Sequence, residues 1–522
     1  MRLDTPGEGA EVEVLVVGGG PVGLTARALL ERWGVRALLV EKRRELSPFP
    51  RSRLVNVRSM EIFRRLGLAE EITAAAFAPE YGRIRFRDTL HAPDFATAAM
   101  IGVHAPVPES PVVGVLTSQD RLEPGLLGAA ASEVRFGVEL VGMAEEDEGV
   151  VAVLADHRSG EETRVRARYV LAADGANSTV RGRLGIGTAG PGSVGRLTTV
   201  VFDADLGSWS ARQPAGVYLT SHGSFLPLYP EGGWAWIAPT PEDAAGADWS
   251  GLVSRSLGAD VPVEVLRVQH WGVNAFVAER FRHGRILLAG DAAHAIPPAG
   301  GLGMNVGLAD VHNLCWKLAG VLRGWAGPGL LDTYETERHP VAHRTLGQAV
   351  ENSKLMFLVA DVRREQLRTD ADQAAERIEP PWSERYFAQL GLVLGVSYRS
   401  AAVLTDGSAP PGPSGNGAHY VPTASPGHRL PHLWLSGHRS TLDALGEWFT
   451  LLTPAATDGE PHAVPPWPLR VERLPEEHAA SWGLRPRGAL LVRPDGHIAA
   501  RWSDGPLDEA TLHDALTTLT GR

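Results

Sequence analysis

Two glycine-rich stretches, far apart in the chain, constrain it more than any other feature. One is Gly18-Gly19-Gly20-Pro21-Val22-Gly23, and the other runs from Gly290-Asp291 through Pro297-Pro298 and Gly300-Gly301 to Gly303-Met304-Asn305. The first follows the apolar run Val12 to Val17 and precedes a helical pattern from Leu24 to Trp33, which spells strand, tight turn, helix. Each glycine has a mechanical reason: Gly18 makes the turn, Gly20 lets backbone approach a pyrophosphate, and Gly23 lets helix and strand pack closely. The helix start offers unpaired N–H groups to phosphate oxygens. A second apolar strand, Ala37 to Val40, ends at Glu41, where an acid accepts hydrogen bonds from a ribose and would repel a 2′-phosphate. A bound dinucleotide is predicted, and the fingerprint leaves NAD and FAD both open.

Two later segments repeat the strand-then-acid pattern. Tyr169 to Ala173 runs into Asp174-Gly175 and a helix start containing Ser178-Thr179-Val180-Arg181, and Arg285 to Ala289 runs into Gly290-Asp291. A carboxylate at such a strand end reaches a sugar or ribityl hydroxyl if the ligand is long enough. Read alone, Asp291 also fits a helix N-cap, Arg181 a helix-surface charge, and Tyr334 to Pro340 a helix with internal ion pairs. His294, placed on a helix after Asp291, is given a packing or hydrogen-bonding role and no catalytic one.

Together these motifs resemble those of class A flavoprotein monooxygenases, the para-hydroxybenzoate hydroxylase type. Within that superfamily the chain is most similar to the bacterial aromatic polyketide hydroxylases, the group that includes aklavinone hydroxylase. The resemblance covers essentially the whole chain. It implies that Gly18, Gly20, Pro21, Val22, Gly23, Glu41 and Lys42 hold the ADP half of FAD, with Leu140 meeting the adenine through its backbone. Arg51 would lie along the FAD and the nicotinamide route, Gln119 near the ribityl chain, and Asp174 and Gly175 at a contact shared by FAD and NAD(P)H. Gly290 and Asp291 would bind a ribityl hydroxyl, Pro298 would border the reacting oxygen, and Gly301, Gly303, Met304 and Asn305 would line the isoalloxazine. A helix starting at Met304 and Asn305 would stabilise negative charge on reduced flavin. The implied reaction is reduction of FAD by NADPH or NADH, formation of a flavin C4a-hydroperoxide with O2, and oxygen delivery to a phenolic ring, the cofactor carrying the hard chemistry. No residue is committed as catalytic.

The fold class expected is α/β. The resemblance implies a Rossmann-like FAD-binding domain of the glutathione-reductase type, an inserted β-sheet substrate domain and a C-terminal thioredoxin-like domain. Residues 1-80, 111-190 and 280-345 alternate apolar strands with helical stretches and form the first domain. Residues 81-110 and 191-279 form the second, with short β-like runs such as Gly216 to Thr220 and Trp234 to Ile237. Residues 346-400 read as a helical connection and the Gly/Pro-rich 401-426 as a linker. Residues 427-522 form the third, with a strand at Leu430 to Leu435, a helix around Thr441 to Leu452, and strands at Leu469 to Leu474 and Ala489 to Ile498. This tail has no cysteine, so thiol redox chemistry is excluded there. Cys315 is the only cysteine of the chain, which rules out an internal disulfide.

The expected substrate is a small polycyclic aromatic molecule. Tyr218, His222, Tyr229, Trp236 and His270, with Trp234 and Trp271 beside them, are the candidate contacts, although aromatic residues there serve more often as core than as ligand contacts. Leu302 stands where para-hydroxybenzoate hydroxylase has a lysine, which favours an apolar polycycle over a small anion. A second nucleotide fingerprint is absent from the sequence, so NAD(P)H would bind transiently. The net charge of −11 is spread along the chain without a basic run, so nucleic acid is not an expected partner. No apolar run reaches the ~20 residues that span a bilayer, and a cytoplasmic protein without a metal site is expected, its oligomeric state open, a homodimer included. Baeyer–Villiger oxygenation, a non-redox cyclase and a polyketide-binding protein remain as alternatives.

Overall fold

The computed structural model describes residues 11–100, 102–369, 389–408, 420–455, 464, 466–505 and 507–522. Three sheets organise them. The first has five parallel strands in the order Ile286–Leu288, Glu162–Ala172, Glu11–Val17, Ala37–Glu41 and Val134–Phe136. Their cores read as unbroken apolar runs because both faces are covered; Val14 to Val17 and Leu38 to Val40 are all buried. Val138–Glu146 and Gly149–Asp156 extend this sheet as an antiparallel pair, with Leu140 opposite Leu154. The carboxyl ends of the strands carry Gly18, Glu41, Ala173 and Ala289, the edge where open α/β sheets bind ligands.

The second sheet has eight strands, from His294–Ala295 at one edge through Glu264–Ala278, Thr188–Asp203, Gly232–Pro239, Gly223–Tyr229, Val217–Thr220 and Arg83–Arg87 to Ala96–Ala99. Its edge strand comes from the segment assigned by sequence to the first sheet, so the loop after Asp291 is stitched to the second: Ala295 pairs with Phe276 and His294 with Val277. This corrects the placement of His294 on a helix. Gly290–Ala292 is a single 3₁₀ turn, a two-residue strand follows, and the helix Gly303–Leu322 begins only past Pro297, Pro298 and two glycines with positive φ.

The C-terminal sheet runs Leu469–Leu474, Phe449–Pro454, Ala489–Val492, Ile498–Trp502, with the first pair parallel and the others antiparallel. The helix expected around Thr441 to Leu452 is corrected here: Phe449–Pro454 is a strand, buried at every position. Periodicity does not separate helix from strand in so short an apolar run; its length and the β-branched Thr450 and Thr453 fit the strand. The strand expected at Leu430 to Leu435 shrinks to Trp434–Ser436, and a helix not anticipated, Glu509–Thr520, is capped by Asp508. Of the helical connection, Asp332–Thr369 and Leu390–Val393 are helices, and the segment between lies outside the described residues.

The tail is fused to the rest. One contiguous core joins Val14 and Leu39 to Trp316, Phe449, Trp467 and Leu516. Gly327 has to be glycine, since a Cβ there would stand 2.0 Å from the carbonyl oxygen of Gly521. Cys315 is buried in this core, its thiol pushed up by burial alone, as a structural rather than reactive cysteine.

Candidate active site

The glycine turn has the geometry its sequence calls for. Gly18 has φ +110°, and a Cβ on it would lie 2.3 Å from the carbonyl oxygen of Ala173. A Cβ on Gly23 would lie 1.9 Å from the Gly18 oxygen, so strand and helix close on one another there. Gly20 differs: nothing stands within 4 Å of its missing Cβ, and it precedes Pro21 at the start of the helix Pro21–Arg32 without a side-chain cap. Open space in front of uncapped helical N–H groups suits an anion. Glu41 borders it, accepting from Gly19 N at 2.7 Å and Arg43 N at 2.9 Å. Lys42 lies just beyond, on an open cleft shared with Arg43, Arg44 and His157.

Arg51 and Asp291 face each other's charge across the crevice. Both are exposed, and among the described residues neither makes a side-chain hydrogen bond. Water reaches Asp291, but protein rings it closely enough that burial holds its carboxyl above the usual carboxylate range, against the pull of His294 and Arg51. Burial likewise lowers Arg51, assisted by Arg43 and opposed by Glu123, Asp291 and Glu41. Glu123 is itself raised by burial and holds Gln119, whose Nε2 donates to Glu123 Oε1 at 2.7 Å.

Several motif residues act through the loop rather than on open space. Asp174 accepts from Ser178 Oγ at 2.6 Å and Val180 N at 3.1 Å, fixing the turn in which Gly175 has φ +84°. Arg181 is more than a surface charge: it donates to the carbonyl of Ala176 at 2.8 Å and to that of Ala292 at 2.9 Å, tying the two turns together. Asn305 spends its whole side chain inward. It accepts from Asn56 N at 2.9 Å and Ser59 Oγ at 2.7 Å, and donates to the carbonyls of Leu54 and Gly301. Met304 is half-buried at the start of the helix, Pro298 is exposed, and a Cβ on Gly303 would lie 4.0 Å from Asp291 Oδ1. Leu302 turns into a small core with Ala349 and Leu392.

Sequence reasoning missed Asp310. Fully buried, it accepts from Gly290 N at 3.1 Å, His294 Nε2 at 2.6 Å and Arg338 Nε at 2.8 Å. Its carboxyl is held low by His294 and Arg338 in spite of burial. One carboxylate thus fixes both ends of the turn that presents Asp291. The signal available was an acid inside the apolar run Leu308-Ala309-Asp310-Val311, because a charge on a buried helix face needs partners. Arg53 was also missed: it lies over the Phe77 ring, donates to the Gly216 carbonyl at 2.8 Å, and burial without a carboxylate partner takes it down to about 9.

The substrate candidates divide by sheet face. Side chains alternate across a strand, and the face turned to the loop carries Val217 and Leu219, which pack with Leu54, Met100, Leu116 and Ala299. Tyr218 and Trp236 lie on the opposite face in a separate core with Phe202, Phe225 and Trp234, a correction to their reading as substrate contacts. The Tyr218 hydroxyl donates to the Gln213 carbonyl at 2.6 Å, and Trp236 Nε1 to the His222 carbonyl at 3.1 Å. His270 is on that far side too, paired with Thr198 Oγ1 at 2.8 Å and in tilted contact with the Trp249 ring. His222 is exposed on a turn. Tyr229 donates to Asp120 at 2.5 Å, one residue from Gln119, with burial and that acid taking its hydroxyl up to about 12. Among the described residues no group of side chains suits a metal ion and no helix is long and apolar enough to cross a membrane.

Comparison with known proteins agrees with this geometry. Residues 11–349 match the FAD binding domain family, and residues 423–522 match the family described as aromatic-ring hydroxylase, C-terminal. Tetracenomycin B2 monooxygenase-dioxygenase of Streptomyces olivaceus is 36% identical over 98% of this chain and 99% of its own. Aklavinone 12-hydroxylase RdmE of Streptomyces purpurascens is 34% identical over 98% and 99%. Among solved structures, the flavin-dependent monooxygenase PieE in complex with FAD and substrate superposes with a TM-score of 0.88 at 32% identity, covering 98% of both chains. A ternary complex of aklavinone-11 hydroxylase with FAD and aklavinone gives 0.82 at 34%, covering 99% of this chain and 100% of that one. With the glycine turn, the Arg51–Asp291 crevice and the stitched loop in place, the chain belongs to the family of FAD-dependent aromatic-ring monooxygenases, and FAD is its cofactor.

Proposed function

We propose that this enzyme hydroxylates a polycyclic, electron-rich phenol, using NAD(P)H as a transient electron donor and O2 as oxidant. The observation that carries the reading is the crevice itself: Arg51 and Asp291 stand open, making no side-chain hydrogen bond among the described residues, at the edge of a sheet that also presents the glycine turn and uncapped helical N–H groups. In this reading Gly18, Gly20, Pro21, Val22, Gly23, Glu41 and Lys42 hold the ADP half of FAD, with Leu140 beside the adenine. Gln119, Asp291 and Gly290 meet the ribityl chain, and Gly301, Gly303, Met304 and Asn305 line the flavin ring through backbone. Pro298 borders the reacting oxygen, and Arg51 with Gly175 flanks the path of NAD(P)H. The four-stranded tail is a thioredoxin-like unit that buttresses the fold.

Bound FAD supplies the redox chemistry, carrying two electrons from NAD(P)H to O2, with one oxygen atom entering the ring and the other leaving as water. The chain positions, shields and balances charge. The helix Gly303–Leu322 aims its positive end at the loop. Asp310 and Arg181 hold the two turns that bracket the crevice. The apolar face of Val217, Leu219, Met100 and Leu116 excludes water and takes the flat faces of a fused-ring substrate. The absence of a cation at Leu302, which packs inward, and the names of the tetracenomycin and aklavinone relatives favour a polycycle.

The test is anaerobic stopped-flow mixing of the FAD-loaded enzyme with NADPH and NADH, then O2, with a panel of polycyclic phenols. Faster flavin reduction with one phenol, and a product hydroxyl labelled from isotopic O2, is expected. Absence of reduction by either nicotinamide across the panel would overturn the proposal.

A further inference from the structure

Beyond Asp310 and Arg338, the helices Val57–Arg65, Gly303–Leu322 and Asp332–Thr369 meet the C-terminal unit around a cavity of about 20 Å³. That is room for one water-sized occupant. Its polar wall is Arg58, His312, Asn313, Arg338, Tyr398, Arg429 and His497, with one carboxylate, Asp495, which is bound by Arg493 on both oxygens. His497 is 3% exposed, and among the described residues neither ring nitrogen makes a hydrogen bond. Asp495 Oδ1, 3.5 Å from Nδ1, lies outside hydrogen-bonding geometry. A neutral imidazole carries one donor and one acceptor, and sealing both away unpaired is costly.

Charge decides what kind of occupant suits this wall. Arg58 and Arg429 share one acid, Glu61, at 2.9 and 3.0 Å. Lys317 and Arg493 share Glu337 at 2.8 and 2.6 Å, with Asp495 completing Arg493 and Asp310 balancing Arg338. Five cations therefore divide four carboxylates. Among the described residues Arg65, enclosed alongside, donates only to the carbonyls of Pro494 and Gly446, and Glu109 bonds Arg429 only through its carbonyl. Burial, and then the charge of Arg58 and Arg65, keeps His312 neutral. A narrow space with one more cation than carboxylates around it, beside an imidazole whose nitrogens make no hydrogen bond to the described chain, suits an acceptor that is itself negative.

We propose that this cavity binds a single small monovalent anion, of which chloride is the physiological form, and that the anion clasps the C-terminal unit to the helix carrying Asp310. The site is independent of what the active site oxidises. Crystals of the FAD-loaded full-length enzyme grown in bromide, measured at the bromine absorption edge, should show an anomalous peak beside His497. Melting temperature should rise saturably in chloride or bromide and not in gluconate at equal ionic strength, since a ligand bound only to the folded state stabilises by mass action. His497→Phe, which fills the space, should lose that halide-specific rise, while His497→Gln, which keeps a donor, should retain part of it. Density without an anomalous signal, or identical melting in halide and gluconate, identifies a buried water and overturns the proposal.

Discussion

Two charged regions of this molecule are built on opposite rules. At the crevice, Arg51 and Asp291 stand exposed and make no hydrogen bonds to the described chain. At the junction with the C-terminal unit, Glu337 accepts from Lys317, Asn313, Ser400 and both terminal nitrogens of Arg493, at 2.6 to 2.8 Å, with no side chain exposed. Enclosure therefore has opposite outcomes. It raises Asp291, which lacks partners, whereas the cations around Glu337 overcome burial and push that carboxyl far down. Charges kept short of partners await a ligand; charges saturated with partners hold the fold.

Substitutions should separate the two. Glu337→Gln leaves Lys317 and Arg493 buried and under-paired, and breaking such a pair costs about 3–5 kcal/mol; denaturant unfolding should report that loss. Asp310→Asn sits between the regions. Weakening the charged bonds to Arg338 and His294 should cost about 2 kcal/mol of stability and also weaken FAD binding, because the Asp291 turn loosens. Asp291→Asn should cut FAD affinity by roughly 10- to 100-fold, the worth of a hydrogen bond to a charged group. Its melting temperature without FAD should be unchanged or slightly higher, since an enclosed carboxylate without partners is removed.

Acid should draw the same line by pH. Glu337, Asp310, Glu61 and Asp495 have lowered folded values, so their stabilisation is full above the ordinary carboxylate range and is lost as pH falls through those lowered values. Asp291 and Glu123 are raised, so they take up protons earlier on the way down, and their ionised forms cost stability as pH rises. FAD affinity should therefore weaken at a higher pH than global stability does, and coincident transitions would blur the comparison. The smallest effect belongs to Tyr218→Phe. Losing the bond to the Gln213 carbonyl should cost about 1 kcal/mol and leave kcat/KM for the substrate alone, as befits a residue on the far face of the sheet.

What was legible in the sequence follows from how local each constraint is. Gly18 and Gly23 are demanded by backbone contacts between neighbouring segments, so spacing alone revealed them. The apolar strands Glu11–Val17 and Ala37–Glu41 were equally plain, being buried on both faces. Asp310, Arg181 and Asn305 were harder, because their partners are distant in sequence: Gly290, Ala292 and Asn56. Tyr218, Trp236 and His270 misled because aromatic content says nothing about which face of a strand a residue takes until register is known. The tail misled where Phe449–Pro454, a short apolar run buried throughout, reads as helix or strand alike.

The central claim is that the crevice is under-paired because FAD completes it. The most direct test is to titrate FAD into apoenzyme by fluorescence quenching, with wild type and Asp291→Asn side by side and the melting temperature of each recorded without FAD. The account predicts a large loss of affinity in the variant with melting preserved. Equal affinity in the two proteins, or a loss of affinity matched by a fall in melting temperature, would contradict it.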